Sequence, residues 1–241
     1  CGRARRAGLD IAPRDVFRKR TVQAMAAGMT VEQERSPAVR DRGVGEVPNT
    51  PILAAFERMP LENFYQSMVL RTPVGMTRTE LETVLGAVLE RHDLLRARVD
   101  GQGPWQLVVP EPDAVDVATL LDVTDRTGRP SPEEMAVATR DAAAALDARA
   151  GAMVRAHWFP DADGTGCLLL VVHHLVVDGV SWRILTADLA QAWSAVRHGR
   201  EPGLDEVRTS FRTWAQRVRA AADRGLFHGE AAYWREIAST Q

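Results

Sequence analysis

Two adjacent histidines, His173 and His174, close the apolar run Leu168 to Val172, and Asp178, Gly179, Ser181 and Trp182 follow them. An imidazole takes up and returns protons near neutral pH, so this stretch is suited to general acid–base chemistry. Neighbouring side chains on a strand point to opposite faces. The two histidines therefore have different roles. One faces the core or the sheet's far side, the other a cavity. That argues against both ligating one metal ion, and no further Cys, His or acidic residue stands at a ligand spacing. Asp178 lies in a loop that breaks the alternation, so its direction stays open. A partly buried Asp requires a partner, and Arg96 or Arg98 is the natural candidate. Gly179 permits a turn that other residues resist.

Plainer readings stand beside these. A histidine at a strand end is more often structural than catalytic. Asp178 is an anchor sooner than a proton carrier. Trp182 and Trp193 fit helix packing first, and the arginines of 94–99 fit a solvated or paired face. Residue types and spacing alone reach a soluble α/β domain with a histidine acid–base site.

The elements that must position these residues are legible from periodicity. Met153 to Phe159 and Cys167 to His173 read as two strands around the turn Asp161-Ala162-Asp163-Gly164. The next helix carries Trp182, Leu185, Leu189, Trp193 and Val196 on one stripe, with Ser181 as N-cap and Gly199 as stop. Phe64 to Leu70 alternates like a strand. Leu81, Val84, Leu85, Val88 and Leu89 have helical spacing within Thr79 to Arg91, and Thr77 with Glu80 forms a capping box. Leu95, Ala97 and Val99 alternate with Arg96 and Arg98, which predicts a strand with one basic face. Trp105 to Val109 is a strand paired through the Gly101–Gly103 turn. Pro132 to Leu146 is an alanine-rich helix, and two more helices fall at Ser210–Ala222 and Glu230–Ile237. Strands interspersed with helices indicate an α/β layered fold. Residues 3–27 read as short helices, with Pro13 in a first turn.

Composition excludes several classes. The chain has 241 residues, a net charge of −2 and 45 % hydrophobic residues. Near-neutral charge argues against a general nucleic-acid binder. No apolar run approaches a membrane span, and Arg3, Arg5 and Arg6 have no apolar core behind them to make a signal peptide. A cytoplasmic protein is the expectation. Cys1 and Cys167, the only cysteines, give neither a disulfide framework nor a metal spacing. Cys167 is expected to be a small buried apolar residue. A chain opening on Cys1 reads as a fragment.

The run His173-His174-Leu175-Val176-Val177-Asp178-Gly179-Val180-Ser181 resembles the HHxxxDGxS signature of the condensation superfamily of non-ribosomal peptide synthetases. Its continuation Trp182-Arg183-Ile184-Leu185 resembles the epimerization branch. Arg91-His92-Asp93-Leu94-Leu95-Arg96 is similar to the family's second core motif, and Thr209 to Ala215 to the epimerization-type segment near the end of the first lobe. Pro48-Asn49-Thr50-Pro51-Ile52 resembles the opening motif, with Asn63 to Ser67 close behind it. The departures are Leu53, Ala54 and Ala55, where the family often has Gln and an aromatic, and Tyr65, where Asn is frequent. Ala7 to Leu9, Pro13 to Phe17 and Thr21-Val22 resemble the last helices of a carrier domain.

The resemblance implies three segments: a peptidyl carrier remnant over 1–28, a linker over 29–43, and over 44–241 a two-layer chloramphenicol-acetyltransferase-like lobe, one of a pair. The implied reaction is L-to-D epimerization of an aminoacyl or peptidyl residue held as a thioester on a carrier's phosphopantetheine. No cofactor or metal is bound directly. His174 is the implied acid–base group, opposite a glutamate of a second lobe. His173 and Asp178 shape the site, Asp178 paired to Arg96, with Gly179, Ser181 and Trp182 in support. The implied partners are the carrier domain, the second lobe and neighbouring modules, with neither nucleic acid nor membrane among them. Two other readings stand: a condensation domain joining two carrier-bound acyl groups, and a truncated lobe or docking piece. Alone, the fragment is expected to be inactive.

Overall fold

The computed structural model describes residues 4, 8–11, 13–27, 30–31, 42–57, 59–101, 105–125, 128–161, 165–207 and 209–239. Cys1, Arg3, Arg5, Arg6, Ala7, Gly28, most of the expected 29–43 linker, residues 102–103 of one expected turn and Ala162-Asp163-Gly164 of the other lie outside them. The chain forms two separately compact units, 1–41 and 42–241.

In the first unit, β1 (Leu9–Asp10) pairs antiparallel with β2 (Thr30–Val31), and α1 (Pro13–Lys19) and α2 (Val22–Ala27) lie between them in sequence. Thr30 and Val31, expected within a linker, are thus a short strand. Asp15 in the first turn of α1 and Arg18 and Lys19 in its last turn complement the helix dipole.

The second unit is built on a four-stranded sheet in the order β4 (Tyr65–Arg71), β9 (Cys167–His173), β8 (Val154–Phe159), β7 (Leu121–Val123). The β4–β9 and β9–β8 pairs are antiparallel, and β7 runs parallel to β8. The apolar run in β9 is continuous because both of its faces are covered. On one side, Val172, Leu170 and Leu168, with Val154 and Ala156 of β8, meet Val84, Leu85 and Val88 of α4 (Arg78–Arg91) and Leu185 and Leu189 of α6 (Ser181–Arg197). On the other, Val171 and Leu169 meet Ala138, Ala142 and Ala143 of α5 (Pro132–Ala144). Small alanines let that helix approach the sheet closely.

The helix ends follow local chemistry. Thr77 with Glu80, and Ser131 with Glu134, form reciprocal capping boxes at α4 and α5. Ser210 caps α7 (Phe211–Asp223) through the Thr213 N–H. α8 (Ala231–Ser239) follows it. A second, three-stranded antiparallel sheet orders β3 (Gly45–Val47), β6 (Gln106–Val109) and β5 (Arg98–Asp100). A helix over Pro51–Phe56, α3, and strand β7 have no counterpart in the periodicity reading.

One expected strand is corrected. Residues 93–96 form a 3-10 turn, and only Arg98–Asp100 is strand. Arg96 is 1 % exposed, and its guanidinium donates to the carbonyls of Leu89 and Glu90 at the end of α4. Those carbonyls lack helical partners, which is why a cation turns inward here instead of lying on a basic face. Burial pulls the Arg96 guanidinium below the ordinary arginine value, against the opposing pull of Asp93.

Candidate acid–base site at the end of strand β9

The pairing of β4 with β9 brings the site together. Tyr65 stands opposite His173 and Gln66 opposite Val172, and the His174 N–H extends the ladder by donating to Phe64 O at 2.9 Å. Alternation then sends the two histidines to opposite faces.

His173 is 2 % exposed. Its Nε2–H donates to Leu61 O at 2.9 Å, and its Nδ1 accepts from the Leu175 N–H at 3.2 Å. Burial pulls this imidazole below its ordinary value, with the Leu61 carbonyl opposing. Both ring nitrogens are occupied by backbone, so His173 ties the turn after β9 to the chain ahead of β4 as a neutral ring.

His174 is half-buried. Its ring stacks on Phe64, with centroids 4.8 Å apart and planes 16° from parallel. Nδ1 lies 2.8 Å from Val177 O and Nε2 lies 3.0 Å from Gln66 Nε2. A carbonyl only accepts and an amide NH2 only donates, so Nδ1 carries the proton and Nε2 the lone pair. The Gln66 Oε1 accepts in turn from the Trp182 indole N–H at 2.8 Å.

Asp178 departs from expectation. Its Oδ1 accepts from the N–H groups of Val180 and Ser181 at 3.0 and 2.7 Å and from the Ser181 hydroxyl at 2.6 Å. The Asp178 N–H donates back to Ser181 Oγ at 3.1 Å. These bonds close a reciprocal Asp–Ser turn just ahead of α6, where Val180 is the N-cap and makes no side-chain cap bond and Ser181 is the first helical residue. Ser181 is therefore not the N-cap that the sequence suggests. The hydroxyl and amide of Ser181 hold the Asp178 carboxyl below its ordinary range. Asp178 and Arg96 do not pair: one is spent on α6, the other on α4.

Gly179 is also corrected. Its φ lies outside the left-handed region, and a Cβ added there meets nothing within 4 Å. The turn does not require glycine. Trp182, 6 % exposed, packs in the main core while its N–H reaches Gln66.

Sequence reasoning misses Gln66 and Asp188. Gln66 shares the core-facing side of β4 with Met68 and Leu70, and a polar residue on an apolar stripe requires a partner; that is the available signal. Asp188 bonds His92 Nε2 at 2.7 Å and so ties the end of α4 to α6. Nothing in the spacing marks that pair. Among the described residues, no group of three or more His, Cys, Asp or Glu side chains converges as metal ligands, and no described helix is long and apolar enough to cross a membrane.

The chain is similar in sequence and fold to known proteins. Residues 59–241 match the sequence profile of the family described as condensation domain. One of the subunits of the linear gramicidin synthase of Brevibacillus parabrevis is 33 % identical over 248 residues, covering 97 % of this chain and 3 % of that relative. The crystal structure of the epimerization domain from the third module of tyrocidine synthetase B is 27 % identical with a TM-score of 0.69, covering 82 % of this chain and 46 % of that one. The first condensation domain of the calcium-dependent antibiotic synthetase shares the fold, at a TM-score of 0.62 and 21 % identity, with 81 % and 48 % covered. The chain thus spans a few per cent of its curated relative and just under half of each solved domain. With its mixed α/β lobe and the family profile along most of its length, the chain belongs to the condensation-domain family of the non-ribosomal peptide synthetases.

Proposed function

We propose that this lobe belongs to an epimerization domain, which interconverts L and D configuration at Cα of an aminoacyl or peptidyl residue carried as a phosphopantetheine thioester. The observation that carries this reading is the state of His174: half-buried at the end of β9, with its Nδ1 proton committed to Val177 O and a lone pair on Nε2. The Gln66 amide gives up its hydrogen bond to Nε2, Nε2 takes the Cα proton with that freed lone pair, and the C–H electron pair moves into the thioester carbonyl as an enolate. A second group on the opposite face, supplied by the other lobe, returns a proton with inverted configuration. Help of this kind is worth about 10²–10⁴-fold. His173, Asp178 and Ser181 hold the loop, Arg96 seals the end of α4, and Trp182 supports the site.

Three observations favour epimerization over condensation: the 27 % identity to a solved epimerization domain, the Ser181-Trp182 continuation, and the Thr209–Ala215 segment. In a condensation domain His174 would assist attack by an acceptor amine. Residues 1–28 fit the tail of the carrier domain that presents the arm, so the pantetheine arrives with the substrate.

The test uses the complete synthetase module with an L-aminoacyl residue loaded on its carrier, in heavy water. Deuterium is expected to enter Cα, and His174→Ala is expected to slow entry by at least about a hundredfold. Equal exchange in the variant removes His174 from the mechanism. Peptide-bond formation without exchange transfers the assignment to condensation.

A further inference from the structure

Trp182 is nearly fully buried against the sheet, yet its indole N–H is kept for one acceptor, Gln66 Oε1 at 2.8 Å. An indole N–H only donates, so this bond decides which end of the carboxamide points where. The NH2 end is turned onto His174 Nε2 at 3.0 Å. On the opposite edge of the ring, Val177 O takes the Nδ1 proton at 2.8 Å. Both edges prescribe the same tautomer, and the stacked Phe64 ring limits tilt. None of these partners titrates. His173 and Asp178 lie close enough to feel the charge of His174. The hydrogen bonds of both are committed elsewhere.

We propose that Gln66 and Trp182 are positioning residues: Trp182 fixes the Gln66 carboxamide, and Gln66 holds His174 in the tautomer with its lone pair on Nε2. The proposal rests on the acid–base reading of His174 and adds how its resting tautomer is set. It also has a consequence after proton transfer. Once Nε2 has taken the Cα proton, its N–H faces the amide N–H, donor against donor. The carboxamide cannot turn end for end without setting its NH2 against the indole N–H. The proton on Nε2 therefore has no acceptor on Gln66: after an L-to-D turnover, in which the opposite group protonates Cα, it is lost to solvent, and in the D-to-L direction it is the one given to Cα. A group that alternates between base and acid is served by such a partner, whereas a carboxylate at the same place would retain the proton on the ring.

The decisive measurement is the ¹⁵N chemical shifts of the His174 ring in the complete module, assigned by their loss in His174→Ala. The native ring is expected to show a protonated Nδ1 and an unprotonated Nε2. Gln66→Glu replaces the donor by an acceptor of the same shape while Val177 O still holds the Nδ1 proton, and is expected to place a second proton on Nε2, giving the imidazolium. Trp182→Phe and Gln66→Met, which remove one link each, are expected to give a mixture of tautomers. Cα exchange of carrier-bound substrate is expected to fall about tenfold in Trp182→Phe and about a hundredfold in Gln66→Glu, in kcat with KM unchanged. The signals of the remaining histidines report that each variant is folded. Native-like ring shifts in all three variants overturn the proposal. The parent reading fails differently: exchange that survives His174→Ala removes the base, whatever the tautomers show.

Discussion

At the scale of single residues, the motif separates into groups that meet a proton and groups that hold backbone. Asp178 is the clearest of the second kind, because Oδ1 accepts three hydrogen bonds at the start of α6. Asp178→Ala is expected to destabilise the fold by about 1 kcal/mol, the usual net worth of hydrogen bonds of this kind. The sign of the pH dependence follows from the carboxyl being held below its ordinary range. A group with a depressed folded pKa contributes fully above its unfolded pKa, about 3.9, and that contribution is lost as pH falls through the lower folded value. Denaturation at pH 7 should therefore separate Asp178→Ala from the native protein, and the gap should close in the acid region below about pH 4. Gly179→Ala serves as the contrast. Its new methyl meets nothing within 4 Å, so stability should stay within about 0.5 kcal/mol. An equal loss in both variants would mean that the loop, and not the carboxylate, sets the helix start.

At the scale of elements, legibility follows periodicity. Cys167–His173 is readable because its apolar run is strand-length and bounded by a turn and polar residues, and the stripe on α6 because its spacing fits only a helix. The stretch 93–99 misleads because Leu95, Ala97 and Val99 alternate like a strand while Arg96 turns inward to the end of α4, a tertiary contact that no local pattern encodes. β7 is three residues long and pairs in parallel, too short for a pattern. Of the site, His174 is legible by type and position, but its partner Gln66 sits 108 residues away in sequence and becomes visible only with the β4–β9 register. That register depends on a close approach at its far end. Gly166 O accepts from the Thr72 N–H at 2.9 Å, and a Cβ at Gly166 would lie 2.6 Å from Trp158 Nε1 and 2.8 Å from Phe159 O. A backbone oxygen cannot swing away, so Gly166→Ala should cost about 1–3 kcal/mol. A thermal melt is the check, and an unchanged midpoint would show that the strand ends yield.

At the scale of the molecule, burial is unevenly distributed, and the uneven distribution places the site. β9 has six of its seven residues buried, and it ends at the histidines. α7 buries only Ala215 and α8 buries nothing, leaving Tyr233, Trp234 and Ile237 exposed. Local opening free energies track such differences, from near zero at poorly packed ends to the global value in the core. Amides of β9 should therefore exchange only through global unfolding, and those of α8 through local fraying, about a thousandfold faster or more, since every 1.4 kcal/mol of opening free energy is about a factor of ten. Hydrogen exchange followed by mass spectrometry on the 241-residue chain measures this directly. Matching protection in α8 and β9 would mean that the C-terminal helices are held by contacts worth as much as the core. The expected order has a chemical use. His174, Phe64 and Gln66 all hang on the β4–β9 pair, the part of the chain least free to open, so the ring's tautomer and stacking persist while more weakly packed helices fray.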